Sequence, residues 1–133
     1  MYVGRYSFNL YNDREDVRIF EPVFECDELI APVISILNRK GYKTQFCCSG
    51  HVNSRSLYKD DLQRCYIMFN YKKDLLLESG FTMPDGFEFD EDPYINDSTV
   101  IEHYYSKYYD WIEILDTMKA LYKWAEQLDN STI

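Results

Sequence analysis

The sequence predicts an α+β fold, a largely antiparallel sheet covered by one helix from the N-terminal half and by a long C-terminal helix. Three observations support this class. Several short segments are rich in the β-branched and aromatic residues that strands favour. Two longer segments place apolar residues at the helical period. The chain of 133 residues has the size of one domain and contains no repeat or linker, so residues 1–133 are expected to form a single ligand-binding domain.

Five segments have the composition of strands, and they are residues 2–11, 17–25, 43–48, 64–71 and 99–105. Residues 64–71 are the strongest candidate and would pair readily with residues 43–48. Residues 99–105 could also form a helix, but their β-branched and aromatic side chains favour a strand. The polar residues 52–63 predict an exposed loop, and the acidic residues 81–93 predict a loop or a sheet edge.

Helical periodicity predicts two long helices, residues 27–40 with Asp27 as the cap and residues 110–128, and a short helix over residues 72–79. The last helix has a wide apolar stripe, which is expected to be mostly core and could also contact another subunit. The stripe consists of Trp111, Leu115, Met118, Tyr122 and Ala125, widened by Ile112, Leu121, Trp124 and Leu128.

Composition excludes several classes of function. A net charge of −9 and an isoelectric point near 4.6 argue against binding duplex nucleic acid, whose phosphates require clustered cations. The sequence lacks an apolar signal region and an apolar run of membrane-spanning length, so a cytoplasmic location without membrane attachment is expected. The cysteines form no C-x-x-C pair and are expected to be reduced thiols.

Residues 41–51 are the most informative stretch, because they indicate a helix stop, a buried strand and a turn made of Cys48, Ser49, Gly50 and His51. Tight turns at strand ends present free backbone N–H groups to anions. Residues 39–73 hold eight of the fourteen Lys and Arg residues but only two acidic residues, so this segment is +6 and the remainder is −15. A cationic segment in an acidic chain predicts a site for a small anion.

A nucleotide pocket is the most specific interpretation of this pattern. Ser49 and Gly50 would hold phosphate oxygens, and Arg55 or Arg64 would add charge, because a guanidinium matches phosphate geometry. Phe81 or a nearby Tyr would stack on the base. Asn96 or Glu102 would bind ribose hydroxyls, and His103 would form a hydrogen bond to the ligand or to the backbone.

Other chemistry is expected to be absent. Cys48 and His51 could form a thiol–base pair, and Asp and Glu residues that could orient the base are numerous, but nothing in the sequence fixes the geometry that such a site needs. His51 and His103 with Glu102 could bind a metal, but they lack a recognised ligand spacing. The acidic residues 88–92 lack the calcium-loop pattern. We therefore expect no catalytic residue, no metal and no cofactor.

Two segments resemble a family of small phage and prophage proteins, the Thoeris anti-defence sponges. They are LNRKGYKTQFCCSGH at residues 37–51 and CYIMF at residues 65–69. The resemblance covers residues 27–71 best. It implies a homo-oligomer in the host cytoplasm that sequesters cyclic ADP-ribose isomers made by immune TIR-domain enzymes, without degrading them. It also implies that cyclic oligonucleotides are possible ligands.

The CSGH turn at residues 48–51 is also similar to the Cys-Ser-Gly-Arg motif of the wybutosine-synthesis methyltransferase family, with His51 in place of the arginine. Two further function classes therefore stay open. One is an RNA-directed enzyme that resembles a tRNA-modification enzyme, and the other is an acidic inhibitor that binds a protein partner.

Overall fold

The computed structural model of the chain describes residues 5–8, 24–27, 29–50, 63–91, 97–106 and 109–133. The α+β class is confirmed. In chain order the elements are β1 (Arg5–Phe8), β2 (Phe24–Asp27), α1 (Ala31–Arg39), β3 (Thr44–Cys48), β4 (Arg64–Phe69), α2 (Lys73–Glu78), β5 (Glu88–Phe89), β6 (Thr99–Tyr104) and α3 (Trp111–Gln127). In this part of the chain, no helix is both long and apolar enough to cross a membrane.

Within the described residues, the strands form two antiparallel sheets. β1 pairs with β2, and the four-stranded sheet has the order β3-β4-β6-β5, with every neighbouring pair antiparallel. The predicted pairing of β3 with β4 is confirmed, and it contains a register shift between Thr44 and Phe46. β5 lies in the stretch predicted as a loop or a sheet edge, and it occupies the edge. The parts of the predicted strands 2–11 and 17–25 outside β1 and β2 lie outside the described residues.

Alternation along β4 determines which face of the sheet is covered. Cys65, Ile67 and Phe69 are fully buried, whereas Arg64, Tyr66 and Met68 are half-buried. Since successive side chains of a strand point to opposite faces, one face contributes to the core and the other is partly accessible. α1 and α3 pack on the core face, as predicted. The core residues that these two helices contribute are Val33, Ile34, Leu37, Ile114, Met118, Leu121 and Ala125.

The predicted start of the first helix was wrong. Asp27 is the last residue of β2, and α1 begins at Ala31, with Ile30 at the cap position and no side-chain cap. The helix starts there because Pro32 lacks a backbone N–H and is tolerated only in a first turn. The predicted end is confirmed. The backbone N–H of Tyr42 donates to the Leu37 carbonyl at 2.9 Å, a Schellman-type closure that uses Gly41.

The predicted extent of α3 is confirmed, but its expected buried stripe was partly wrong. Asp110 caps the helix by accepting a hydrogen bond from the Glu113 backbone N–H at 3.1 Å. The side chains of Leu115 and Tyr122 are 41% and 42% exposed, whereas Ile114 is fully buried. The helix therefore turns the neighbouring row of residues toward the sheet. The stripe is wider than the surface that α1 and the sheet can cover, and its outer edge faces solvent.

Lys40 fixes the C-terminal end of α3. Its ammonium donates to the backbone carbonyls of Ala125 at 2.9 Å, Glu126 at 2.5 Å and Leu128 at 2.6 Å. These carbonyls have no partner within the last helical turn and carry the negative end of the helix dipole. A cation from the end of α1 thus joins the two helices that cover the sheet.

Lys40→Met is expected to destabilise the fold by about 1–2 kcal/mol, because it removes a charged donor from three carbonyls while keeping the aliphatic stem. The free energy of unfolding in urea checks this. Lys119→Met is the control, because Lys119 is exposed in the middle of α3 and its loss should change stability by less than about 0.5 kcal/mol. Equal effects of the two substitutions would contradict the capping role.

Candidate functional site

The antiparallel register brings several predicted site residues to one end of the four-stranded sheet. β3 ends there at Cys48, β4 begins there at Arg64, and β6 ends there at Tyr104. Residues 51–62 connect β3 to β4 at this end. The sequence prediction that Cys48, Arg64 and Glu102 belong to one region therefore agrees with the strand order.

Arg64 is the centre of a polar and aromatic group on the partly accessible face. Its Nη1 donates to a carboxylate oxygen of Glu102 and to Oδ2 of Asp90, the latter at 3.1 Å. Its guanidinium carbon lies 4.8 Å from the centroid of the Tyr66 ring, within the range of a cation–π contact. Tyr104 is the cross-strand partner of Arg64. We call these five residues the Arg64 cluster.

Burial and neighbouring charges set the protonation states of Arg64 and Tyr104. Burial by itself lowers the pKa of Arg64, but the hydrogen bonds to Glu102 and Asp90 outweigh burial and raise that pKa above its ordinary value. The pKa of the Tyr104 phenol is also raised, first by burial and then by the nearby charge of Glu102. The guanidinium therefore stays charged and the phenol stays a neutral hydrogen-bond donor throughout the physiological range.

Cys48 lies in the next strand beside the Arg64 cluster. Its cross-strand partner is Tyr66, and the partner of Tyr66 on the other side is Glu102, so the three residues form one row across β3, β4 and β6. Cys47 and Cys48 are half-buried and Cys65 is fully buried, and all three are reduced thiols outside any disulfide. Reduced thiols were predicted, and these three cysteines confirm it.

The small residues of the predicted turn pack against Tyr105. Ser49 is fully buried, and its carbonyl accepts a hydrogen bond from the Tyr105 hydroxyl at 2.5 Å. Gly50 has φ +109°, and a Cβ at this position would lie 2.5 Å from a ring carbon of Tyr105. Packing therefore gives a reason for small residues here that is separate from anion binding, and the phosphate role of Ser49 and Gly50 stays a prediction.

An aromatic row runs from Tyr105 in both directions. The Tyr105 ring stacks on Tyr109 and meets the His103 ring edge-on, and His103 in turn lies against Phe87, each pair with centroids 5.4 Å apart. Burial, followed by the nearby thiol of Cys65, raises the pKa of the Tyr105 phenol far above its ordinary value, so this hydroxyl remains a donor.

His103 has a defined tautomer. Its Nδ1 lies 2.8 Å from the Gly86 carbonyl, which can only accept, so Nδ1 carries the proton. In the neutral ring Nε2 is then an acceptor. His103 was predicted to donate or accept a hydrogen bond toward a ligand or the backbone, and the bond to Gly86 fulfils the backbone alternative.

His103 also lines a groove of about 880 Å³ between α3 and residues 83–87. Phe87, Ile112 and Trp124 contribute apolar surface, and several carboxylates lie around them. Because His103 and Glu102 are consecutive residues of β6, this groove and the Arg64 cluster lie on opposite faces of the sheet. We call it the α3 groove.

The cations of the cationic segment, residues 39–73, do not all lie at the predicted turn. Of the cations in residues 39–73, those that the structure describes are Arg39, Lys40, Lys43, Arg64, Lys72 and Lys73. Arg64 lies at the turn's end of the sheet, whereas the others flank the opposite ends of β3 and β4. Lys40 binds the end of α3, and Lys73 pairs with Glu91 at 3.0 Å. Antiparallel pairing separated side chains that are neighbours in sequence.

Phe81 was predicted as a stacking ring, and the structure corrects this. Its side chain is 5% exposed and packs edge-on against the rings of Tyr42, Phe69 and Trp124. A ring buried among three others cannot stack on a ligand. His51, Arg55 and Asn96 lie outside the described residues, so their predicted ligand contacts stay predictions.

Sequence reasoning missed Tyr66, Asp90 and Tyr104. A signal for Tyr66 was available, because the alternation of RCYIMF places Arg64 and Tyr66 on the face opposite Cys65. Asp90 gave no such signal, since only the pairing of β5 with β6 brings it to Arg64. Among the residues with described positions, no three His, Cys, Asp or Glu side chains are grouped closely enough to hold a metal ion.

No protein-family description, characterised protein or solved structure matches this chain.

Proposed function

We propose that the protein binds a nucleotide signal of the cyclic ADP-ribose type at the Arg64 cluster and retains it without cleaving it. The observation that carries the proposal is the convergence of Arg64, Tyr66 and Glu102 at the end of the sheet where residues 51–62 connect β3 to β4. The resemblance of residues 37–51 and 65–69 to the anti-defence sponges supports this class of ligand.

The chemistry of the Arg64 cluster suits a nucleoside. Tyr66 and Tyr104 offer rings for stacking on a base, and the carboxylates of Glu102 and Asp90 can accept hydrogen bonds from ribose hydroxyls or from an exocyclic amine. Arg64 already spans both carboxylates, so a ligand meets side chains that are held in position before it arrives. Preorganisation of this kind lowers the entropic cost of binding.

The phosphates require more positive charge than the Arg64 cluster supplies, because its one guanidinium faces two carboxylates. In the proposal His51 and Arg55 supply that charge, since they belong to the residues that connect β3 to β4 at this end of the sheet. The proposal includes a homo-oligomer, for which the exposed Leu115 and Tyr122 of α3 offer an apolar surface. Cyclic oligonucleotides are a second ligand class with the same base, ribose and phosphate groups.

Calorimetric titration with cyclic ADP-ribose isomers tests the proposal, with linear ADP-ribose as the comparison. We expect saturable binding of a cyclic isomer and recovery of the intact compound after the protein is heat-denatured. Recovery of a cleaved or transferred product would instead favour the RNA-directed or another enzyme. The absence of binding heat with every cyclic nucleotide would overturn the proposal and favour the protein-binding inhibitor.

Tyr66→Leu tests whether the ligand binds at the Arg64 cluster, because the substitution removes the stacking ring and keeps apolar volume on β4. Stacking on an aromatic side chain contributes roughly 1–3 kcal/mol per base, so affinity should fall about 5- to 150-fold. The matched control is Tyr122→Leu, which removes an exposed ring from α3, on the other face of the sheet, and keeps an apolar side chain on the surface proposed for the homo-oligomer. Retained affinity in Tyr66→Leu would place the ligand elsewhere.

A further inference from the structure

The α3 groove carries negative charge, the same sign as the nucleotide ligand. Its lining includes four carboxylates, those of Asp85, Asp110, Glu113 and Asp116, and one ammonium, that of Lys123. Asp110 caps α3 by accepting from the Glu113 backbone N–H, and the Glu113 carboxylate accepts from Ser106 at 2.8 and 3.0 Å, so both carboxylates already have partners. Asp85 and Asp116 are exposed at the groove. Phosphate groups would be repelled here.

The apolar surface of the α3 groove is rigidly held. The indole N–H of Trp124 donates to the Thr82 carbonyl at 2.8 Å, and its ring lies edge-on against the buried Phe81. Phe87 lies against His103, whose ring is in turn fixed by Gly86. The side chain of Ile112 is 67% exposed and lines the same groove. Fixed aromatic rings beside carboxylates accept a cation that has an apolar stem.

We infer that the α3 groove binds a basic peptide segment of a partner protein. The aliphatic stem of an Arg or Lys side chain lies on Trp124 and Phe87, and its charged head lies among the carboxylates of Asp85 and Asp116. Charge complementarity and the neighbouring rings together select this occupant over an acidic or a purely apolar one. The inference goes beyond the proposed function, since the groove and the Arg64 cluster lie on opposite faces of the sheet.

Fluorescence titration with an eight-residue peptide of alternating Arg and Leu tests the inference. Trp111→Phe leaves Trp124 as the single tryptophan, so a change in emission reports the groove itself. We expect saturable binding that weakens as salt is raised, and no binding of the same peptide with Gln in place of Arg. Equal binding of the Gln peptide, or no binding of either peptide, would overturn the inference.

The double variant Asp85→Asn/Asp116→Asn separates a specific groove from general attraction to an acidic protein. It should weaken binding of the Arg peptide about 3- to 10-fold, the effect of two partly exposed ion pairs. The matched control Asp74→Asn/Glu78→Gln removes the same charge from the exposed surface of α2 and should change affinity by less than about 2-fold. Equal losses in both variants would overturn the inference.

A second copy of the chain is the competing occupant, and sedimentation of the protein without peptide distinguishes it. Self-association that the peptide abolishes would assign the groove to a subunit interface and overturn the inference. Peptide binding with an unchanged assembly state supports it. The two tests are independent. If the nucleotide binds, Asp85→Asn/Asp116→Asn should leave its affinity unchanged, and if it does not bind, the peptide titration still tests the groove.

Discussion

Gly50→Ala is expected to cost roughly 2–6 kcal/mol of folding free energy, because two penalties of about 1–3 kcal/mol each apply at this position. The backbone has φ +109°, which L side chains rarely adopt, and the added Cβ would lie 2.5 Å from the Tyr105 ring. The ring cannot easily move aside, because its hydroxyl donates to the Ser49 carbonyl and its face stacks on Tyr109. Such a loss is a large part of a typical domain's stability.

Urea unfolding of Gly50→Ala and Gly86→Ala separates the two penalties. Gly86 also has a positive φ, +80°, but a Cβ there would lie 3.4 Å from the His103 ring, an ordinary contact. The Gly86 variant should therefore lose only the conformational part, about 1–3 kcal/mol. If both variants lose the same stability, the close approach of Gly50 to Tyr105 has no energetic role.

Arg64→Met is expected to destabilise the protein by about 2–3 kcal/mol, below the 3–5 kcal/mol of a fully buried broken ion pair because the Arg64 side chain is 35% exposed. The substitution leaves the Glu102 carboxylate, whose side chain is 8% exposed, without its cation and near Asp90. Lys72→Met is the control, because the pair of Lys72 with Asp97 is 3.7 Å long and largely exposed. Its loss should cost no more than about 0.5 kcal/mol.

A double-mutant cycle shows whether the loss comes from the Glu102 charge. Arg64→Met/Glu102→Gln removes both charges, so its destabilisation should be smaller than the sum of the two single effects by about 1 kcal/mol or more. Additive losses would mean that Arg64 acts through packing on Tyr66 alone.

The expected loss of stability also affects binding experiments, because an Arg64 variant changes the stability of the site as well as its charge. Tyr66→Leu is therefore the better probe of ligand binding.

Local patterns allowed most elements of the fold to be predicted. The apolar period and the Asp110 cap predicted α3, and Gly41 predicted the end of α1. The start of α1 was missed because Asp27 is a suitable cap residue that pairs in β2 instead, and a strand partner is not visible in local sequence. The exposed edge of the α3 stripe was missed for the same reason, since periodicity gives a face but not the width of the surface opposite it.

The candidate site, like the fold, was predicted only where local sequence carries the signal. Cys48, Arg64 and Glu102 were predicted from residue type and from the positions of strand ends, and antiparallel pairing does bring these positions together. Phe81 was misassigned because an aromatic after a helix stop has the same local pattern in a core as in a pocket. Asp90, the partner of Arg64, directly follows β5, an edge strand of two residues that is too short to leave a periodic signal.

By itself, the sequence determined the α+β class, the extents of β3, β6 and α3, and the small residues at Ser49 and Gly50, because these follow from short-range periodicity and backbone sterics. The tertiary structure alone decided that Tyr105 packs on that turn, that the described cations of residues 39–73 are divided between the two ends of the sheet, and that Arg64 joins Glu102 and Asp90. These outcomes depend on register and on contacts between residues distant in sequence, whose geometry exists only once the sheet has formed.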